Sequence, residues 1–207
     1  VEDLEGIVGL SKPEDANVSL IERIDMAKVT GVHKKIMHQL IPSGSPLGET
    51  VITSSYGSRN HPILNRNEAH AGIDLRANMG TPVYVRDGYN SGYGNVLKIT
   101  HSFGFKTIYG HLQKNLLLPG DFVKKGDLIA YSGNTGLSSG PHLHYEVRYI
   151  GQHVNPYYFI YWDMQNFDNI FKKEKIIQWD SLLMAVNRIM EAQGLLSSQQ
   201  ELKLTAK

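Results

Sequence analysis

The sequence predicts an α+β protein, a compact antiparallel β core carried between N- and C-terminal helical arms. Three observations predict it. Apolar residues recur at helical intervals over residues 1–41, short strand-prone runs between glycine-rich turns fill 51–158, and the helical interval returns after about residue 160. The expected division is an N-terminal arm over 1–45, the β domain over 46–160 and a C-terminal helical extension over 161–207.

In the first arm, Ser19 followed three residues later by Glu22 reads as a capping box. Ile21, Ile24, Val29, Val32, Ile36 and Leu40 then form the expected apolar face, with Gly31 weakening a single continuous helix. Pro42 and the SGSPLG cluster end it. Strands are expected at 82–85, 95–100, 107–109, 127–132 and 144–149, separated by turn signals at GYG, PGD, KKGD and GNTG. In the second arm, Phe167, Ile170 and Phe171 make a short face. Leu182, Leu183, Val186, Ile189 and Met190 make a longer one, with Asp180 or Ser181 as its cap and an exposed tail from Gly194. The apolar faces of the arms suit either packing onto the β domain or docking of another chain.

Composition narrows the function. The 207 residues carry a formal net charge of +1, with no run of like charges, so there is no electrostatic case for a nucleic-acid partner. Apolar runs fall well short of the roughly 20 residues of a membrane span. There is no cysteine, which excludes disulfides and thiolate metal sites and leaves His, Asp and Glu as transition-metal ligands.

Two histidine constellations carry the chemistry. In GPHLHYE, residues 140–146, an extended backbone puts His142, His144, Glu146 and Arg148 on one polar face and Leu143, Tyr145 and Val147 on the core face. Paired imidazoles on such a face suit a shared metal, or one ligand beside one proton-transfer group. In HAGID, His70 and Asp74 are four apart, a spacing compatible with one face of a strand or a helix; Gly72 favours an extended or irregular backbone. One imidazole and one carboxylate suit zinc and leave room for His144 or His142 as a third ligand and water as a fourth. Of the other histidines, His33 and His38 are expected on the arm's surface, His61 in a loop, His101 and His153 without a role, and His111 at a strand end where catalytic groups often sit.

Together these stretches resemble the LytM/lysostaphin-type (M23) zinc metallopeptidases. The resemblance rests on SSYGSRNHP at 54–62, HAGID at 70–74, GTPVY at 80–84, GYGN at 92–95, YGHL at 109–112 and the long run VKKGDLIAYSGNTGLSSGPHLHYEVR at 123–148. It covers about residues 50–158, about half the chain. It implies a LytM-type sheet, one zinc ion per chain held by His70, Asp74 and His144, and His111 and His142 as catalytic histidines that do not bind the metal. It also implies hydrolysis of peptide cross-links in peptidoglycan. There is no HExxH, so another group must take the place of that motif's glutamate base; Glu146 is expected to support a histidine.

The flanking segments resemble cell-shape endopeptidases of curved and helical Gram-negative bacteria. That likeness implies a D,D-endopeptidase cutting the D-Ala–meso-diaminopimelate bond, a periplasmic or cell-envelope location, a membrane tether ahead of Val1, and a homologous LytM-domain partner docked through the arms. A D,D-carboxypeptidase is the near alternative, and a non-catalytic scaffold for another wall enzyme is the distant one. The sequence departs from the family pattern after GTPVYV, where Arg86 and Asp87 lead almost directly into GYNSGYGN and about ten residues are missing. A shortened hairpin or an omitted loop would explain it.

Overall fold

A computed structural model describes residues 29–60, 66–84 and 93–195. The expected capping box at Ser19, the apolar positions Ile21 and Ile24, His61, the short stretch at Arg86–Asp87 and the tail beyond residue 195 lie outside the described residues.

The first described helix, α1 (Gly31–Leu40), starts at Gly31 and is capped by Thr30. Thr30 N–H donates to His33 Nδ1 at 3.2 Å, and the His33 ring donates from Nε2 to Asn187 Oδ1 at 2.6 Å. His33 therefore fills the place that Glu or Gln takes in an ordinary capping box. It is buried, as is Met37, whereas Val32 is exposed, so the buried face is turned from the expected one. His38 is not a free surface residue either: its ring packs against Trp162 and donates to the Trp162 carbonyl at 3.1 Å.

Ten strands follow among the described residues: β1 (Ile52–Ser54), β2 (Gly57–Asn60), β3 (Asn67–His70), β4 (Ile73–Arg76), β5 (Pro82–Tyr84), β6 (Asn95–Thr100), β7 (Phe105–Asn115), β8 (Leu128–Ser132), β9 (His142–Tyr149) and β10 (Gln152–Val154). Eight form one antiparallel sheet, ordered β1-β4-β9-β7-β8-β5, with β10 paired to β9 and β6 to β7. The β2–β3 hairpin stands apart as a two-stranded ribbon. Each of the five expected strands has an observed counterpart, although Asp127 falls just before β8 and Val85 lies outside the described residues. Strands β1 to β4 and β10 were not expected, because runs of three or four residues are too short for an alternation to be told from chance. His153, for which no role was expected, lies in β10.

Three helices close the described chain: α2 (Pro156–Ile160), α3 (Asn169–Lys173) and α4 (Trp179–Ala192). In α4, Trp179, Leu182, Val186 and Met190 recur at helical intervals and are buried. The expected cap at Asp180 or Ser181 is wrong. The helix begins at Trp179, behind Gln178, which makes no side-chain cap, and Asp180 instead places a negative charge in the first turn. Met37 of α1, Val186 and Met190 of α4, and Leu75, Tyr109 and Tyr145 of the sheet all belong to one hydrophobic cluster. The described helices thus share the sheet's core.

Candidate active site

The site is built on strand register. Asp74 of β4 lies directly opposite His144 of β9, and His144 lies opposite Gly110 of β7. His142 is two residues before His144, on the same face. That face is not open to solvent: His144 and Glu146 are buried, as Leu143, Tyr145 and Val147 are on the other. His70 and Asp74 do not share a strand, contrary to one reading of their spacing. His70 ends β3, Asp74 belongs to β4, and Ala71–Gly72 carries the chain between them. Only glycine fits at 72, since a Cβ there would strike the Tyr145 carbonyl oxygen and come within 2.8 Å of Glu146 Cγ.

His70 Nε2, Asp74 Oδ1 and His144 Nδ1 converge. The separations are 3.2 Å from His70 to Asp74, 2.9 Å from His144 to Asp74, and 3.2 Å between the imidazole nitrogens. Ligands about 2.05 Å from a tetrahedral zinc stand about 3.3 Å apart, so the spacing suits such an ion. The tautomers agree. His70 Nδ1 can only donate to the Ser55 carbonyl, at 2.7 Å, which leaves Nε2 as a lone pair. His144 Nε2 donates to Glu146 Oε1 at 3.1 Å, which leaves Nδ1 as a lone pair. Three acceptors facing one another at about 3 Å repel unless a cation lies among them. The buried N₂O set fits zinc.

The two other predicted histidines sit beside this cluster. His142 Nε2 is 3.6 Å from Asp74 Oδ1, and the His111 and His142 rings are 4.7 Å apart between centroids. Each is held by a backbone carbonyl: His111 Nδ1 donates to Thr135 O at 2.7 Å and His142 Nδ1 to Gly140 O at 2.8 Å. Both Nε2 atoms are left with lone pairs. The structure thus brings together all five residues expected from sequence. It leaves out His101, which bonds Thr107 Oγ1 at 2.9 Å, and His33 and His38.

Electrostatics follow from these contacts. Burial alone would raise the Asp74 pKa, but the His144 and His70 imidazoles packed against it outweigh burial whenever either is protonated and hold the carboxyl well below the usual carboxylate range. Burial would lower His144, yet the Asp74 and Glu146 carboxylates outweigh it and raise its pKa. Burial lowers the pKa of His111 and so keeps it neutral. Glu146 is driven down to about 2: burial opposes this, and His144, Tyr93 and Arg148 overcome it.

Several contributors carried no separate signal in the sequence. Arg59 Nη1 donates to Asp74 Oδ2 at 2.7 Å and to Ser54 Oγ at 2.6 Å, fixing the oxygen that faces away from the cluster. Tyr93 stacks on His144 at 5.0 Å, and its carbonyl accepts from His111 N–H at 2.9 Å. His153 Nδ1 donates to Ala71 O at 3.2 Å and lies 3.5 Å from Glu146 Oε2. Arg59 and Tyr93 sat inside quoted motifs, and their role could have been suspected only there.

Two clefts meet at the cluster. One, of about 260 Å³, is lined by Arg59, Glu68, His70, Tyr93, His111 and Leu137 among others; the second, of about 460 Å³, runs past Ser54, Asp74, Ser139 and His142. No residue of α1 or α4 lines either, so neither described arm covers the site.

The model of Peptidase family M23 matches residues 68–156. The DD-carboxypeptidase/endopeptidase Mpg of Neisseria meningitidis serogroup B is 45% identical over 118 residues, which is 54% of this chain and 27% of that protein. The peptidoglycan DD-endopeptidase ShyC of Vibrio cholerae is 39% identical over 120 residues, 54% of this chain and 28% of that one. The crystal structure of a zinc-containing peptidase from Vibrio cholerae is similar with a TM-score of 0.49 and 34% identity, covering 56% of this chain and 39% of that one. The chain spans little more than a quarter of the length of these curated relatives. Residues 68–156, which carry the whole ligand set, thus form a domain of peptidase family M23.

Proposed function

We propose that this chain is a zinc-dependent peptidoglycan endopeptidase that cleaves peptide cross-links, the D-Ala–meso-diaminopimelate bond in particular, and so remodels the cell wall. The observation that carries the reading is the convergence of three lone-pair donors, His70 Nε2, Asp74 Oδ1 and His144 Nδ1, beside two further imidazoles in an accessible cleft. Such a cluster serves hydrolysis better than scaffolding, since a scaffold needs neither the free Nε2 atoms of His111 and His142 nor an open cleft.

His70, Asp74 and His144 would hold zinc, which supplies Lewis acidity for attack on an amide carbonyl. The chain's own groups do the rest. His111 is neutral and presents Nε2, so it can accept a proton from the attacking water. His142 presents Nε2 3.6 Å from Asp74 Oδ1 and beside the His111 ring, and can donate to the oxyanion once protonated, or exchange roles with His111. The carbonyls of Thr135 and Gly140 hold both rings in place, so little reorientation is needed during reaction. The substrate places the enzyme in the cell envelope.

The test digests cross-linked dimeric muropeptides and monomeric pentapeptides side by side with zinc-loaded protein, with His70→Ala as control. Cleavage of dimers, loss of zinc and loss of turnover in the variant are expected. Exclusive release of terminal D-Ala from pentapeptides would make the enzyme a carboxypeptidase, an activity that the name of the Neisseria relative includes. Bound zinc without turnover of either substrate would leave only the scaffold.

A further inference from the structure

Glu68 lies in the smaller cleft, and neither the metal cluster nor the proton-transfer pair uses it. It is two residues before His70 on β3, so the two side chains leave the same face about 6.6 Å apart along the strand. Its Oε2 atom is buried and has no hydrogen-bond partner among the described residues. Arg66 Nε stands 3.7 Å from it, on a largely exposed side chain, a weak and solvent-screened pairing. The residue opposite Glu68 in the hairpin is Arg59, but Arg59 Nη1 is committed to Asp74 and Ser54. A carboxylate whose side chain is 42% exposed thus enters the substrate cleft with one buried oxygen whose desolvation no hydrogen bond of the described residues offsets. A cationic donor from the substrate would offset it.

We propose that Glu68 is a specificity-determining residue that receives a substrate ammonium group one residue's length from the scissile bond. The proposal rests on the peptidase reading and deepens it. It assigns to the acyl side of that bond a diamino acid whose second amine is free, rather than a bridge of neutral residues. The separation of about 6.6 Å along β3 is covered by one residue's step of substrate backbone plus the reach of a diamino acid's side chain, so the ammonium belongs to the residue next to the D-Ala whose carbonyl is attacked. A charge-assisted hydrogen bond there strengthens binding of substrate before chemistry, so its loss raises KM more than it lowers kcat.

The experiment uses the zinc-loaded chain, a dimeric muropeptide with the free amine on its acyl-side diamino acid, and the same dimer with that amine acetylated. The wild type is expected to favour the free amine by about tenfold or more in kcat/KM. Glu68→Gln should narrow that ratio to within about twofold, chiefly through KM for the free-amine substrate, and Glu68→Asp should restore part of it. Zinc content and thermal midpoint of each variant check that the fold and metal site persist; a variant that loses zinc is replaced by Glu68→Asp as the deciding comparison. An unchanged ratio in a zinc-loaded variant overturns the assignment and leaves the carboxylate as a mere acceptor for peptide N–H. Turnover of neither dimer by the wild type overturns the peptidase reading, and the assignment with it.

Discussion

Glu146→Gln tests how the metal cluster is held. Glu146 is fully buried, with Oε1 3.1 Å from His144 Nε2 and Oε2 2.9 Å from Arg148 Nε and 2.8 Å from Arg148 Nη2. Both oxygens accept, so a glutamine of the same shape must turn its amide nitrogen toward one donor or the other. Facing Arg148, the NH₂ meets a guanidinium. Facing His144, it meets Nε2–H and favours the other tautomer, which puts the proton on Nδ1, the atom that completes the ligand set. Partners of this kind are worth about 10- to 100-fold in metal affinity, about 1.4–2.7 kcal/mol. Competitive titration with a chromophoric chelator at pH 7.5 is expected to show zinc bound 10- to 100-fold more weakly, with turnover at saturating zinc also reduced. Adding Arg148→Met removes the clash with the guanidinium while leaving the missing charge; about half or more of the defect should remain. Zinc affinity and turnover within twofold of wild type in Glu146→Gln would refute the reasoning, because the carboxylate would then be only a buried partner for Arg148.

His111→Ala and His142→Ala, examined singly, should each keep zinc within about threefold and lose about 10²- to 10⁴-fold in kcat, as metal analysis and single-turnover muropeptide digestion would show; loss of zinc instead would make either residue a ligand. Glu174 provides a pH test remote from the metal. Burial lifts it from 4.5 to about 7, although the Asn155 N–H that it accepts at 3.1 Å pulls the other way. The folded state therefore binds its proton more tightly than the unfolded state. Its contribution is fully present below about pH 4.5 and is lost as pH rises through about 7. The full shift is worth about 3 kcal/mol, and partial solvent contact cuts this to about 1–2 kcal/mol. Glu174→Gln should be as stable as wild type in urea at pH 4.5 and about 1–2 kcal/mol more stable at pH 8; equal midpoints at both pH values would count against this.

The residues of the candidate metal cluster were legible because their chemistry is rare and their spacing is set by strand geometry. His142 and His144 declare themselves through a period of two, and Tyr145 and Val147 confirm the strand by filling the opposite face. His70 and Asp74 were found as a pair for a partly mistaken reason: they meet across Gly72, where the link between β3 and β4 passes β9 closely enough to exclude a Cβ, and not along one strand. What stayed hidden was everything that works through the backbone. The carbonyls of Ser55, Thr135 and Gly140 set three tautomers, and a carbonyl has no residue identity to read. His33 was misjudged because a polar residue in an amphipathic helix is ordinarily solvated, and only its meeting with Asn187, 154 positions away, buries it. Arg59 was visible as a letter in a motif but its partner Asp74 was not, since the β2–β3 ribbon that presents it is too short to show a pattern.

The long strand β7 shows how the backbone completes the cluster. Its first half pairs with β9 through Gly110 opposite His144, and its second half pairs with β8 from Leu112 onward. Between the halves His111 takes φ +59°, a left-handed conformation that costs a non-glycine residue about 1–2 kcal/mol. The register with β6 slips at the same place, between Asn95 opposite Leu112 and Leu97 opposite Tyr109. An unbulged strand would carry His111 on the face opposite Leu112 and Gly110, with no freedom to turn its ring toward the cleft. The bulge re-aims it, and two hydrogen bonds hold the strained residue: His111 N–H to Tyr93 O at 2.9 Å and Nδ1–H to Thr135 O at 2.7 Å. Gly110 is needed beside it because a Cβ there would stand 3.0 Å from Tyr93 Cβ and 3.3 Å from His144 Cβ. YGHL is thus one device: the glycine admits Tyr93 against His144, and the strained histidine after it sets its ring beside those of His142 and His144.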